Sequence, residues 1–171
     1  LHANLDNIDV LYDAGFRMMS LQHFFDNALG GSLHGTSKAG LTAFGKQAVE
    51  IMQAKDIIVD VSHSSEATVR DVLAQSTAPL VISHTGFKGH CDTPRNIADE
   101  LMLQIAEAGG LIAVGFWPGA VCGSSPESVI EAIEYGVALV GEDHVALGSD
   151  FDGTVETSFD ASEMAVLTQT M

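Results

Sequence analysis

Apolar positions along the chain switch between two spacings. From Asn4 to Ala14, Leu5, Ile8 and Leu11 fall on one helical face, and Gly15 ends the pattern. Phe16–Leu21 then reads as a strand, followed by a polar, glycine-rich loop from His23 to Gly40. Helical spacing returns over Leu41–Ala54 at Phe44, Ala48 and Ile51. Ile57–Val61 is a short β-branched run of the kind buried on both faces of a sheet. Ser65 can cap a helix over Glu66–Ser76, and Pro79 precedes a second apolar strand, Leu80–Ser83. A helix is expected over Asp99–Ala108, stopped by Gly109-Gly110, and a strand over Leu111–Phe116. Pro126 suits the first position of a helix that runs through Val140, and Val145–Ser149 is the last strand.

Five strands, each separated from the next by a helix, predict a parallel sheet with right-handed crossovers. A doubly wound sheet and an arc of a (β/α) barrel both satisfy the pattern. No G-x-G-x-x-G turn follows any strand, which counts against a dinucleotide fold. The chain has 171 residues, whereas a complete (β/α)8 barrel takes about 250. It starts and stops inside helix-like sequence, so a segment of a longer chain is expected. The formal net charge of −16 argues against nucleic acid or an anionic membrane surface as a partner. No apolar run approaches the roughly 20 residues of a membrane span. Cys91 and Cys122 are too few for a disulfide framework and are expected to be free thiols, which favours a cytoplasmic location.

The polar residues are informative through their position. The first strand ends in Gln22-His23, the second in Ser62-His63 and the third in Ser83-His84. The fifth ends in Asp150, followed by Asp152-Gly153, which suits a turn. In parallel α/β folds the C-terminal ends of the strands carry the active site, so these groups converge on one rim. His63 and His84 are one strand–helix–strand step apart, which predicts adjacent strands and half of a catalytic metal site. Asp150, after the small residues Gly148-Ser149, could bind metal or take a proton. Arg95, in the loop after His84, could hold a substrate carboxylate or an acidic neighbour. His2, His34, His90 and His144 are weaker candidates; His144 precedes a strand and falls on the opposite rim.

Several ordered motifs carry a resemblance. Asp60-Val61-Ser62-His63-Ser64-Ser65, Ala78-Pro79-Leu80-Val81-Ile82-Ser83-His84, Pro94-Arg95-Asn96 and Gly148-Ser149-Asp150-Phe151-Asp152-Gly153 resemble the membrane (renal-type) dipeptidases, zinc peptidase family M19. Leu41-Thr42-Ala43-Phe44-Gly45 and Phe24-Phe25-Asp26-Asn27 are similar to that family as well. The resemblance implies a (β/α)8 TIM barrel of the amidohydrolase type, present as a partial barrel. It implies two zinc ions, a dipeptide substrate and hydrolysis through a metal-bridging hydroxide. By the same resemblance, His63 and His84 are ligands to one zinc. His23 polarises the scissile carbonyl and contacts the substrate, Asp150 handles the hydroxide proton, and Arg95 holds the C-terminal carboxylate.

The family pattern also includes a His-x-Asp pair that this sequence lacks. Its bridging Glu falls immediately before a histidine that His2 resembles. The expectation is therefore a single domain over 1–171, a barrel fragment without its N-terminal strand or strands and its C-terminal helices, inactive alone. Two other readings stay open: an amidohydrolase acting on a lactone, β-lactam or N-acyl amino acid, and a non-catalytic remnant. A homodimer is an allowed assembly.

Overall fold

A computed structural model describes residues 1–171. All five strands form, and they are parallel where register is defined. Their hydrogen-bonded order is β1-β2-β3-β4-β5. A strictly sequential order is that of a (β/α) barrel; a doubly wound sheet reverses direction after its first strands. The elements are α1 (Asp6–Asp13), β1 (Met18–Ser20), α2 (Ala43–Ala54), β2 (Ile58–Asp60), α3 (Glu66–Gln75) and β3 (Val81–Thr85). They continue with α4 (Asp99–Glu107), β4 (Leu111–Val114), α5 (Pro118–Val121), α6 (Pro126–Val140), β5 (Val145–Leu147) and α7 (Ala165–Thr170). No helix is long and apolar enough to cross a membrane. The chain groups into two compact units, Leu1–Val81 with Glu107–Gly110, and Ile82–Ala106 with Leu111–Met171.

In the first unit β1 and β2 pair with Met18 opposite Ile58 and Ser20 opposite Asp60. The apolar faces of α2 and α3 bury Ala48, Val49, Met52, Val69 and Val72, and Ile57, Val59 and Leu80 are buried with them. Ser65 caps α3 as the sequence predicts, its hydroxyl accepting from the Thr68 amide at 3.0 Å. The same hydroxyl donates to the Ala39 carbonyl at 2.7 Å, which fixes the preceding loop to the start of the helix. Ser65→Ala removes both bonds and should lower stability by about 1–2 kcal/mol, read as a lower urea midpoint with an unchanged slope. An unchanged midpoint would show that water replaces the cap without cost.

One expectation for this unit is corrected. Ile58 is 43% exposed, so β2 is not buried on both faces. Its register partner Met18 is 47% exposed, and the pair forms an open apolar strip that no element of the unit covers.

In the second unit β4 and β5 pair from Ile112–Val145 to Val114–Leu147. Leu101, Met102 and Ile105 of α4 are fully buried, as are Ile112, Val114, Phe87 and Phe116. Phe116, Phe151 and Phe159 form an aromatic cluster with centroid separations of 5.2–6.2 Å. Ser125 caps α6 with Pro126 in the first turn, as expected. The helix-like sequence at the end of the chain forms α7, whereas the four-residue α5 is too brief to leave a periodic signal.

The free-thiol expectation is overturned, because Cys91 and Cys122 form a disulfide with Cα atoms 5.4 Å apart. The fold brings the β3–α4 connection against the end of α5, a pairing that a separation of 31 residues conceals. The thiol argument for a cytoplasmic location goes with it, since disulfides persist in oxidising compartments.

Candidate functional site

In the first unit the matched strand register explains how two histidines meet. Ser20 pairs with Asp60, and His23 and His63 each follow three residues beyond that pair. Their rings lie 4.6 Å apart, edge to face. Asp60 is buried and fixes the turn that launches His63: it accepts from Ser20 Oγ at 2.6 Å and from the Ser62 amide at 2.9 Å. His63 has φ +61°, the left-handed region that non-glycine residues adopt at a cost. Backbone strain at a strand-end histidine is the kind of outlier that functional sites retain.

Ser32 holds both histidine backbones. Its hydroxyl lies 2.5 Å from the His23 carbonyl and 3.2 Å from the His63 carbonyl, and it accepts from the His34 amide at 3.1 Å. Asp26 in turn accepts from the amides of Ser37 and Ser32, each at 2.9 Å. These bonds, the Ser37 amide first, hold the Asp26 carboxyl below its ordinary pKa.

The loop places His34 with its ring 5.3 Å from that of His63 and 5.3 Å from Phe24. Phe24 also packs 4.1 Å from His23. Its mid-loop position makes His34 a weak candidate from sequence alone. The signal that could have found it is Gly31, where an added Cβ would stand 2.3 Å from the Ala39 carbonyl oxygen. Such a tightly folded loop returns its residues to the strand ends. Gln22, buried beside this cluster, accepts from Ser64 Oγ at 2.6 Å, while its Nε2 has no hydrogen-bond partner.

In the second unit β3 runs one residue past His84, so His84 lies within the strand. Ser83 Oγ is 2.9 Å from His84 Nδ1, and the His84 ring is 6.2 Å from Trp117. The Arg95 guanidinium returns to this point. It donates to the His84 carbonyl at 2.5 Å and to Thr85 Oγ1 at 3.3 Å, and lies 5.4 Å over the Trp117 ring.

Asp150 follows β5 and, like His63, has a left-handed φ of +61°. No helix starts at it. It opens a turn in which the Gly153 amide donates to its carbonyl at 2.9 Å. The room around its carboxylate comes from Gly153, where a Cβ would stand 2.2 Å from Asp150 Oδ1. Gly148, two residues earlier, is packed against the Ser83 carbonyl and the Ala113 side chain.

Neutral imidazoles and a carboxylate at strand ends can ligate a metal, hydrogen-bond a substrate or exchange protons. A catalytic zinc uses three protein ligands. Nowhere in the chain do three His, Cys, Asp or Glu side chains form a group that could hold a metal ion.

The fold and site define a singly wound parallel α/β protein with its polar chemistry at the strand ends. The family model of the membrane dipeptidases (peptidase family M19) matches residues 1–171, and the chain belongs to that family. Dipeptidase verJ of Clonostachys rogersoniana is 33% identical over 152 residues, which is 86% of this chain and 39% of the relative. The crystal structure of the probable dipeptidase PvdM from Pseudomonas aeruginosa shares the fold, with a TM-score of 0.89 at 24% identity over 97% of this chain and 59% of that one. A metallo peptidase from Rhodobacter sphaeroides, liganded with a phosphinate mimic of the dipeptide L-Ala-D-Ala, matches with a TM-score of 0.86 at 26% identity. That match covers 99% of this chain and 52% of the other. The chain spans 25–59% of the length of the curated relatives it matches.

Proposed function

We propose that this chain is the site-bearing segment of a longer zinc dipeptidase that hydrolyses dipeptides with a free C-terminal carboxylate. The observation that carries this reading is the Arg95 guanidinium, 2.5 Å from the carbonyl of His84, the last residue but one of β3. In a dipeptide the terminal carboxylate lies one residue from the scissile bond, about 3.8 Å along the chain. A cation for the carboxylate must therefore sit within one residue's reach of the chemistry, and Arg95 does so relative to His84. Membership of the dipeptidase family and the dipeptide mimic bound by the Rhodobacter relative support the same substrate class.

In this reading His63 and His84 are the imidazole ligands that the chain contributes to a two-zinc centre. The other ligands come from residues beyond 1–171. His23 hydrogen-bonds the substrate carbonyl and stabilises negative charge on its oxygen. Asp150 takes a proton from the attacking water and Arg95 binds the terminal carboxylate.

The test is Arg95→Ala in the intact enzyme. A bidentate carboxylate contact at the non-reacting end should raise KM for dipeptides by about 10–100-fold and leave kcat within a few-fold. Unchanged dipeptide kinetics would remove Arg95 from the binding site. Turnover of lactones or β-lactams in preference to dipeptides would move the assignment to the wider amidohydrolase class.

A further inference from the structure

In the second unit, the connection that carries Arg95 is tied down at several points by groups that no role above uses. Asn96 is 2% exposed. Its Oδ1 accepts from the Gly86 amide at 2.9 Å, and its Nδ2 donates to the carbonyls of Cys91 at 2.9 Å and Ala120 at 2.8 Å. One side chain thus links the start and middle of the β3–α4 connection to α5. Thr93 Oγ1 donates to the Gly119 carbonyl at 2.7 Å, and the Cys91–Cys122 disulfide joins the same two segments covalently. The fit leaves no slack: a Cβ on Gly86 would stand 1.9 Å from the Ala120 carbonyl oxygen and 2.7 Å from Asn96 Nδ2.

Arg95 is the chain neighbour of this clamp. Its side chain spans from the connection to the His84 carbonyl and over Trp117, the residue that precedes α5. A free arginine side chain samples many rotamers, so a guanidinium aimed at one point needs its backbone held.

We propose that Asn96 and the Cys91–Cys122 disulfide are a positioning pair that fixes Arg95 for a substrate carboxylate. The substrate part rests on the reading of Arg95 as carboxylate anchor. Neither member touches substrate. Both act on Arg95 through the backbone of the connection that carries it, so their loss changes affinity and not the chemical step.

Trp117 is the only tryptophan in the chain, so its emission reports the cation over its ring. The first measurement is Trp117 emission and iodide quenching in the 171-residue chain. The samples are the native chain, R95A, N96A, C91A/C122A, N96A/R95A, and the native chain reduced with dithiothreitol. The reduced native chain keeps the test open if a substitution prevents folding. The second measurement is KM and kcat for a dipeptide in the intact enzyme carrying R95A, N96A or the conservative N96D, which retains only the acceptor for Gly86.

The proposal expects N96A, C91A/C122A and reduction to reproduce the Trp117 change of R95A, with no further change from N96A once Arg95 is absent. It expects N96A to raise KM about tenfold, equivalent to ~1.4 kcal/mol, with kcat within twofold and N96D intermediate. An unchanged Trp117 signal on reduction and in N96A overturns it. So does a signal change that persists in the R95A background, because α5 and not Arg95 would then have moved. A KM that rises in R95A but not in N96A overturns it too. If R95A itself leaves KM unchanged, the carboxylate-anchor reading fails, and the Trp117 data alone decide whether the pair positions Arg95.

Discussion

With His63 in its proposed role as a zinc ligand, replacing it with alanine is expected to lower kcat/KM of the intact enzyme by about a thousandfold or more and to reduce its bound metal. The magnitude is that of losing several kcal/mol of metal-assisted stabilisation. Three observations make His63 the most sensitive position. It is only 8% exposed, at the centre of a ring cluster with His23, Phe24 and His34. Its carbonyl lies 3.2 Å from Ser32 Oγ and accepts from the Leu33 amide at 2.7 Å, so the backbone stays in place when the ring is removed. Its left-handed φ of +61° is a cost that an alanine bears as well, so the substitution relieves no strain. The measurement pairs elemental analysis and kinetics with circular dichroism. Loss of zinc and activity in a folded protein agrees with the role. A folded His63→Ala enzyme that keeps its zinc and its rate assigns the ligand role elsewhere.

Much of this arrangement is legible in the sequence, for a physical reason. Element type is a local property, written in the spacing of apolar residues and in caps such as Ser65 and Ser125-Pro126, and those elements form where the pattern places them. His23, His63, His84 and Asp150 lie at or just past the C-terminal ends of β1, β2, β3 and β5, where the switch from apolar to polar residues in the sequence places them. The features that escaped are non-local. His34 reaches His63 only because the loop from Phe24 to Gly40 folds back through Asp26 and Ser32. Cys91 and Cys122 pair across two separate connections. Ile58 has the composition of a buried strand residue, yet its exposure depends on what covers its face, which residue spacing does not encode. The left-handed backbone at His63 and Asp150 also leaves no mark, since no glycine announces it.

Gly148→Ala is expected to destabilise the chain by about 3 kcal/mol, although glycine-to-alanine changes often stabilise. The usual gain, about 0.4–1 kcal/mol, comes from a less flexible unfolded chain at a site whose backbone accepts alanine. Gly148 is outside the left-handed region, so the backbone raises no objection. Space does. An added Cβ would stand 2.2 Å from the Ser83 carbonyl oxygen and 2.8 Å from the Ala113 Cβ. Neither neighbour is the far end of a flexible side chain. Ser83 lies within β3 and Ala113 within β4, and the Gly148 amide itself donates to the Val114 carbonyl at 2.8 Å. Relief therefore requires Gly148 to move away from both the Ser83 carbonyl of β3 and Ala113 of β4, which breaks that bond and displaces Asp150 two residues later. Urea unfolding of the chain should show the lower midpoint. In the intact enzyme the same substitution should lower kcat more than it raises KM, because Asp150 and not Arg95 is the group displaced. A midpoint equal to that of the native chain would mean that β5 shifts freely, and the small residue before Asp150 would then carry no packing role.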